Sequence, residues 1–424
     1  MDNHHRRAGQ FLLVGVAAAA LLSTSAVGSA ATSSGAFSVL AADEENPSVN
    51  AMRGIDPTPS EPGAPGSGGS ESPEPTAPPA TTPPATEPTD PPSTEPPTPA
   101  KDDLVAMTIN TTLPGCTPSN FHLGLLGGDS SNPGGQTTPV NTEVTWGDGS
   151  AVENISYFGS HSYPSSGTYN LKIKGTLGGF DTLFSGKCVQ SVDHFGADTG
   201  IRTLENMFNG AQGLQSVAAP PATVTNTARM FKDSSFSGSL SGWKLPNLVS
   251  AESMFDGAYN FNSDLTGFAP SGSLKNAGGI FRNASKFDGD ISGWNTANTE
   301  RFSMSFIGAT AFQGKGISDW KTDSATTMNS MFFSAKSFNG DISGWNTGKV
   351  TDMTSMFSNA SKFNGNIGGW DVSKSDSLRA MFYRATSFTQ DLSRWTIKSG
   401  ADTGNFALES GIDGNRSKLP AGVQ

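Results

Sequence analysis

The sequence predicts an α/β solenoid, with one short helix and one short parallel strand in each coil of about 25 residues, preceded by a small all-β sandwich domain. Three observations carry this expectation. A Phe anchor, usually written "MF", recurs at Phe208, Phe231, Phe255, Phe281, Phe306, Phe332, Phe357 and Phe382, in steps of 23 to 26 residues. Within one coil, Val350, Met353, Phe357 and Ala360 are spaced three, four and three, which is the spacing of one helix face. Ahead of the first anchor, "LVAMTINT" (104–111) and the run Tyr169, Leu171, Ile173 alternate apolar and polar residues as half-buried strands do.

Taken in order, residues 1–30 read as a signal peptide. "HHRR" supplies the positive region, "FLLVGVAAAALL" (11–22) the apolar core, and "VGSA" a small-residue cleavage site near Ala30. The apolar run is short for a bilayer span, so no membrane insertion is expected after cleavage. Residues 31–100 read as a disordered Pro/Thr/Ser-rich stalk, with "PPATTPPATEPTDPPSTEPPTP" (78–99) toward its end. Such composition buries too little apolar surface to offset ordering entropy and favours extended polyproline conformation. Residues 101–193 hold the β-rich segment, 194–410 the repeats, and 411–424 a C-terminal tail.

Each repeat carries more than its anchor. An Ala follows three residues on (Ala284, Ala335, Ala360), then a second Phe (Phe287, Phe338, Phe363), then Ile or Leu. A Trp closes the unit at Trp243, Trp294, Trp320, Trp345, Trp370 and Trp395, with Phe268 standing in once. "FNGDIS" (338–343) is bounded by Gly and is the expected strand. One unit cannot enclose these side chains alone, but stacked neighbours can, so only the apolar skeleton needs to repeat.

The stretch "MFFSAKSFNGDISGWNTGKVTDMTSMF" (331–357) resembles the repeat of the BspA-like surface proteins of bacteria. The "WGDG" turn (146–149), followed by "HSY" and "GTY", resembles β domains of the polycystic-kidney-disease type. These resemblances imply a leucine-rich-repeat-like solenoid on an exported, adhesin-like protein, without catalytic residues to transfer. Many members of that family are lipoproteins or wall-anchored; no lipid-attachment Cys and no apolar C-terminal tail are seen in this chain.

Composition narrows the partners. A net charge of −11 without basic runs argues against nucleic acid and against an electrostatic grip on anionic lipid. The expected partner is a protein or glycan on a host or neighbouring-cell surface, met extracellularly or at the cell surface. Two polar rows are the candidate ligand-binding residues. One follows the second Phe (Asn262, Asp288, Gln313, Asn339, Asn364) and the other precedes the Ile or Leu (Asp264, Asp290, Asp341, Asn366, Asp391). The competing reading is that these side chains satisfy backbone groups at turns.

Other chemistries are weighed and set aside. Calcium held between successive Asp is opposed by the break in the second row at Gly316, and no metal or other cofactor is expected. The Trp row resembles a sugar-stacking platform, but its fixed distance from the Ile points to core. Asp148 and His161 allow a catalytic pairing, against which stands a turn Asp and a strand-entry His. An enzyme would interrupt its repeat with a carboxylate cluster, which the sequence does not show, so no catalysis is expected. The alternatives are a structural surface-layer protein and, behind it, an exported carbohydrate-active enzyme. Cys116 and Cys188, the only cysteines, are expected to pair in an oxidising compartment.

Overall fold

The computed structural model describes residues 101–127, 140–180 and 185–423, all within one compact unit, Pro92–Gln424. The signal peptide (1–30) and the stalk (31–100) lie outside the described residues.

The alternating runs become strands because each buries one face. β1 (Leu104–Asn110) turns Val105, Met107 and Ile109 into the core, and β6 (Thr168–Thr176) does the same with Leu171 and Ile173. With β2 (Phe121–Leu126), β3 (Asn141–Thr145), β4 (Glu153–Ile155), β5 (Phe158–His161), β7 (Gly179–Phe180), β8 (Val189–Phe195) and β9 (Ser216–Val217), they make two sheets. The six-stranded sheet runs β4-β3-β6-β1-β8-β9, and the three-stranded one β5-β2-β7. All pairs are antiparallel except the last of the larger sheet, β8 with β9, where the chain enters its first coil. The boundary expected after residue 193 therefore falls inside β8, and one buried apolar cluster runs from Val105 to Leu419 without a break. Cys116 and Cys188 are joined as a disulfide, with Cα atoms 5.2 Å apart, tying the turn after β1 to the start of β8.

The repeat region departs from the predicted fold class. No α-helix exists among the described residues, the sheets are confined to the segment before Ala218, and the coils do not form an α/β solenoid. The coil around Phe357 shows why. Met356, Ser358 and Ala360 donate their N–H groups to the carbonyls three residues back, Met353, Ser355 and Phe357, at 3.0–3.2 Å. The alternate residues Met353, Ser355, Phe357 and Asn359 donate instead to the next coil, at Ser377, Arg379, Met381 and Tyr383, at 2.7–3.0 Å. A helix would direct all of these to the carbonyl four residues back. Left-handed conformations at Ser355 (φ 55°) and Asn359 (φ 58°) enforce the alternation. The same pair of left-handed places brackets the other anchors, as at Ser330 and Ser334, or Ala380 and Arg384.

The predicted strand at 338–343 is also absent. Successive coils meet in single parallel bridges elsewhere, in a column running Gly179, Thr203, Asn226, Ser250, Asn276, Arg301, Thr327, Asp352, Ser377, Asp402. Gly179 starts the column because a Cβ there would lie 2.4 Å from the Thr203 carbonyl oxygen. Inside, anchor rings pack on one another at 5.3–5.6 Å, and from Phe231 to Phe382 each is flanked by its second Phe. A further coil follows the last predicted anchor. Phe406 takes the place Met381 holds one coil earlier and meets Phe382 edge-on, at 80°. The Asp413 carboxylate accepts the Glu409 N–H, and Ile412 is buried, so the segment expected as a tail folds onto the last coil.

Candidate functional site

The two predicted polar rows occupy the stretch between the second Phe and the closing Trp. In the first, the side chains of Asn262, Asp288, Asn339 and Asn364 reach one coil onward, while Gln313 reaches back to Asp288 and passes the row on through its backbone carbonyl. Asn262 Oδ1 accepts the Asp288 N–H at 2.8 Å, Asp288 Oδ1 that of Gln313 at 2.9 Å, and Asn339 Oδ1 that of Asn364 at 2.8 Å. Asn364 continues to Thr389 at 2.9 Å. These amides and carboxylates supply the inter-coil bonds that a strand would have supplied, which is the physical reason no strand forms there.

In the second row the side chain mostly turns back on its own coil. Asp290, Asp341 and Asp391 accept the N–H groups of Ser292, Ser343 and Ser393 at 2.8–3.0 Å, and Asn366 that of Gly368 at 3.4 Å. Asp264 instead accepts from Asp290, at 2.8 Å. Where the row breaks, Lys315 places its ammonium 3.7 Å from both Asp264 and Asp290. These bonds hold the carboxyls of Asp290, Asp341 and Asp391 below the usual range: the Ser292 N–H leads for Asp290, the Ser343 hydroxyl for Asp341, and the Ser393 N–H for Asp391. The rows are thus seams in the coil stack, and Asn262, Gln313 and Asn339 of the first and Asp264, Asp341, Asn366 and Asp391 of the second remain exposed along them. No group of three or more metal-ligating side chains stands together among the described residues.

The Trp row is core. Its six indoles are 1–5% exposed, and four donate Nε1–H to the preceding coil's Ile or Leu carbonyl, as Trp294 does to Leu265 at 2.7 Å. Trp320, in the coil lengthened at Gly314-Lys315-Gly316, has no partner for its buried Nε1. Asp148 and His161 do meet, at 2.7 Å, with the His ring stacked on Trp146 at 4.7 Å. Asp148 also accepts from the Ser150 hydroxyl and N–H, and these bonds, with that of His161, hold its carboxyl down at about 2. The pair braces the turn after β3.

One feature escaped the sequence reading. Beside the column of parallel bridges, a groove of about 370 Å³ crosses the coils of Phe231, Phe255, Phe281 and Phe306. Its floor is Gly278-Gly279, where the flanking coils carry Glu252-Ser253 and Ser303-Met304, and its rim holds Arg229, Lys232, Arg282 and Arg301. The only sequence signal for it is the Gly pair in the "NAGGIF" stretch (276–281), unremarkable in a chain with 50 glycines.

A family model described as "Mycoplasma protein of unknown function, DUF285" matches the chain twice, over residues 202–316 and 300–411. No curated protein and no solved structure matches it. The two matches together span the stacked coils, and the β-rich segment before them lies outside both. The repeat region is therefore similar to the DUF285 family, which is related to the BspA-like repeats.

Proposed function

We propose that this chain is an exported binding protein of the BspA-like, adhesin type, presenting its stacked coils to a protein or glycan on a host or neighbouring-cell surface. One observation carries the reading: stacking is accomplished by buried rings and by seams of backbone and side-chain bonds, so the residues between them vary without cost to the fold. A rigid row of coils is wide enough for a specific interface of roughly 800 Å² per side, which a single coil is not. The signal-like N-terminus and the Pro-rich stalk fit display outside the cell, with no membrane insertion after cleavage. Among the described residues no helix is long and apolar enough to cross a membrane. No nucleic acid is expected as partner, given the net charge of −11.

The exposed members of the polar rows, with the groove, are the surfaces on which such a partner would be read. The test is a glycan array together with an extracellular-matrix protein panel, probed with the exported chain. Saturable binding of one class supports the reading. Binding to none, with the protein folded, would favour a structural surface-layer role instead.

A further inference from the structure

The groove over Gly278-Gly279 has a chemistry that the polar rows lack. In a chain of net charge −11, it gathers three arginines and a lysine in its lining. Three of these are held by carboxylates. Asp256, itself 3% exposed, takes Nε of Arg282 at 2.9 Å and its Nη2 as well. Glu205 pairs with Arg229, and Asp233 with Lys232 at 2.7 Å. Those pairs fix the two guanidinium planes before any ligand arrives, which lowers the ordering cost of a further bond. Arg301 is different: it is exposed and has no ion-pair or hydrogen-bond partner for its side chain among the described residues.

The floor explains why the groove is open. Gly278 and Gly279 occupy the two places before the coil's buried Ile280-Phe281, and the neighbouring coils fill the same places with side chains. Gly278 lines the groove with Asn276 and Ser303, and a Cβ there would stand 3.1 Å from Asn276 Oδ1 and 3.5 Å from the Ser303 carbonyl oxygen, so a side chain would occupy the space between groups that line it. The volume is within the range of about 300–1,000 Å³ typical of small-ligand sites.

The lining also carries an acceptor. Glu252 lies in the groove, its carboxylate accepting from Asn276 Nδ2 at 2.9 Å. A bare phosphate would be repelled by Glu252, whereas hydroxyl donors would be welcomed by it. Cations beside an acceptor-rich wall suit a molecule bearing one oxyanion and several hydroxyls. We infer that this groove binds an acidic sugar, carboxylated or sulfated, with Arg301 as the principal anion contact and Glu252 receiving ring hydroxyls. The inference rests on the binding-protein reading above and names a ligand class and place for it.

The experiment uses the exported chain on immobilised neutral, carboxylated and sulfated glycans, with poly-glutamate and matrix proteins as additional probes. Two variants accompany it: Arg301→Gln, which removes the free cation, and Gly278→Gln, which fills the floor. The expected result is binding to an acidic class over neutral glycans, weakened by added salt and reduced about tenfold or more in each variant. The melting temperature should stay within about 2 °C in Arg301→Gln, an exposed and unpaired position. Carboxylated and sulfated arms then tell which oxyanion is read. Equal binding to neutral glycans or to poly-glutamate overturns the proposal, as does acidic-glycan binding that survives both variants. A matrix protein bound equally by parent and variants overturns the groove while leaving the binding-protein reading standing. No partner on any surface removes both.

Discussion

Trp370 donates its Nε1–H to the carbonyl oxygen of Ile342, 3.2 Å away in the preceding coil, while its ring stacks on Trp345 at 6.3 Å. One side chain therefore fills the core and satisfies a backbone group. Trp370→Ala should cost roughly 3–5 kcal/mol, the range for removing a large buried aromatic. Trp370→Phe keeps most of the apolar burial and loses the bond, so its cost should be about 1–2 kcal/mol. Chemical denaturation of both variants checks this, and an Ala variant as stable as the parent would show that the coils close without their indoles.

The polar rows make a second prediction. Changing Asp290, Asp341 and Asn364 together to Ala removes acceptors from Ser292, Ser343 and Thr389. Each lost bond should cost about 0.5–1.5 kcal/mol, so the triple variant should melt well below the parent. Melting temperature and affinity for any identified partner, measured on one preparation, separate seam from site. Lost affinity at an unchanged melting temperature would make these residues ligand contacts first.

Left-handed backbone gives a third. Ala380 sits at φ 52°, a conformation that costs a residue with a Cβ about 1–2 kcal/mol. Its N–H bond to the Gly404 carbonyl would survive replacement by Gly. Ala380→Gly should therefore raise stability by roughly 0.5–1 kcal/mol after the larger unfolded-state entropy of Gly is deducted. Ala380→Val should lower it, because β-branched residues resist this region most. A Gly variant less stable than the parent would contradict the strain argument.

Acid sensitivity should centre on Asp148. Its folded carboxyl is held at about 2 against a usual 3.8, so this stabilisation is complete above about pH 4 and is lost as pH falls toward 2. Asp290, Asp341 and Asp391, also lowered, act in the same direction. Asp148→Asn should lower the melting temperature at pH 7 and flatten its fall between pH 4 and 2. Parallel melting curves for parent and variant across that interval would exclude Asp148 as a contributor.

Much of this molecule was legible in the sequence, and one type of error recurs where it was not. The runs at Val105, Met107, Ile109 and at Leu171, Ile173 became β1 and β6, because alternation has a single structural solution when one face is buried. The buried identity of every Phe and Trp ladder followed from spacing and hydrophobicity alone. The three-four-three spacing around Phe357 did not decide between a helix and linked turns, since both return to the same face after three or four residues. That choice belongs to the backbone sign at Ser355 and Asn359, and equivalent places elsewhere hold Arg229, Met304 and Ala380, which carry no shared composition signal. The neighbouring coil settles it: at Ser355, Asn359 and Ala380 the left-handed residue turns an N–H outward, and a carbonyl of the stacked coil accepts it. The groove is likewise tertiary, because Arg229, Arg282 and Arg301 become neighbours only when their coils stack around a pair of glycines. Residue chemistry determined what must be buried in this protein; stacking decided how the backbone was satisfied and where a cavity was left.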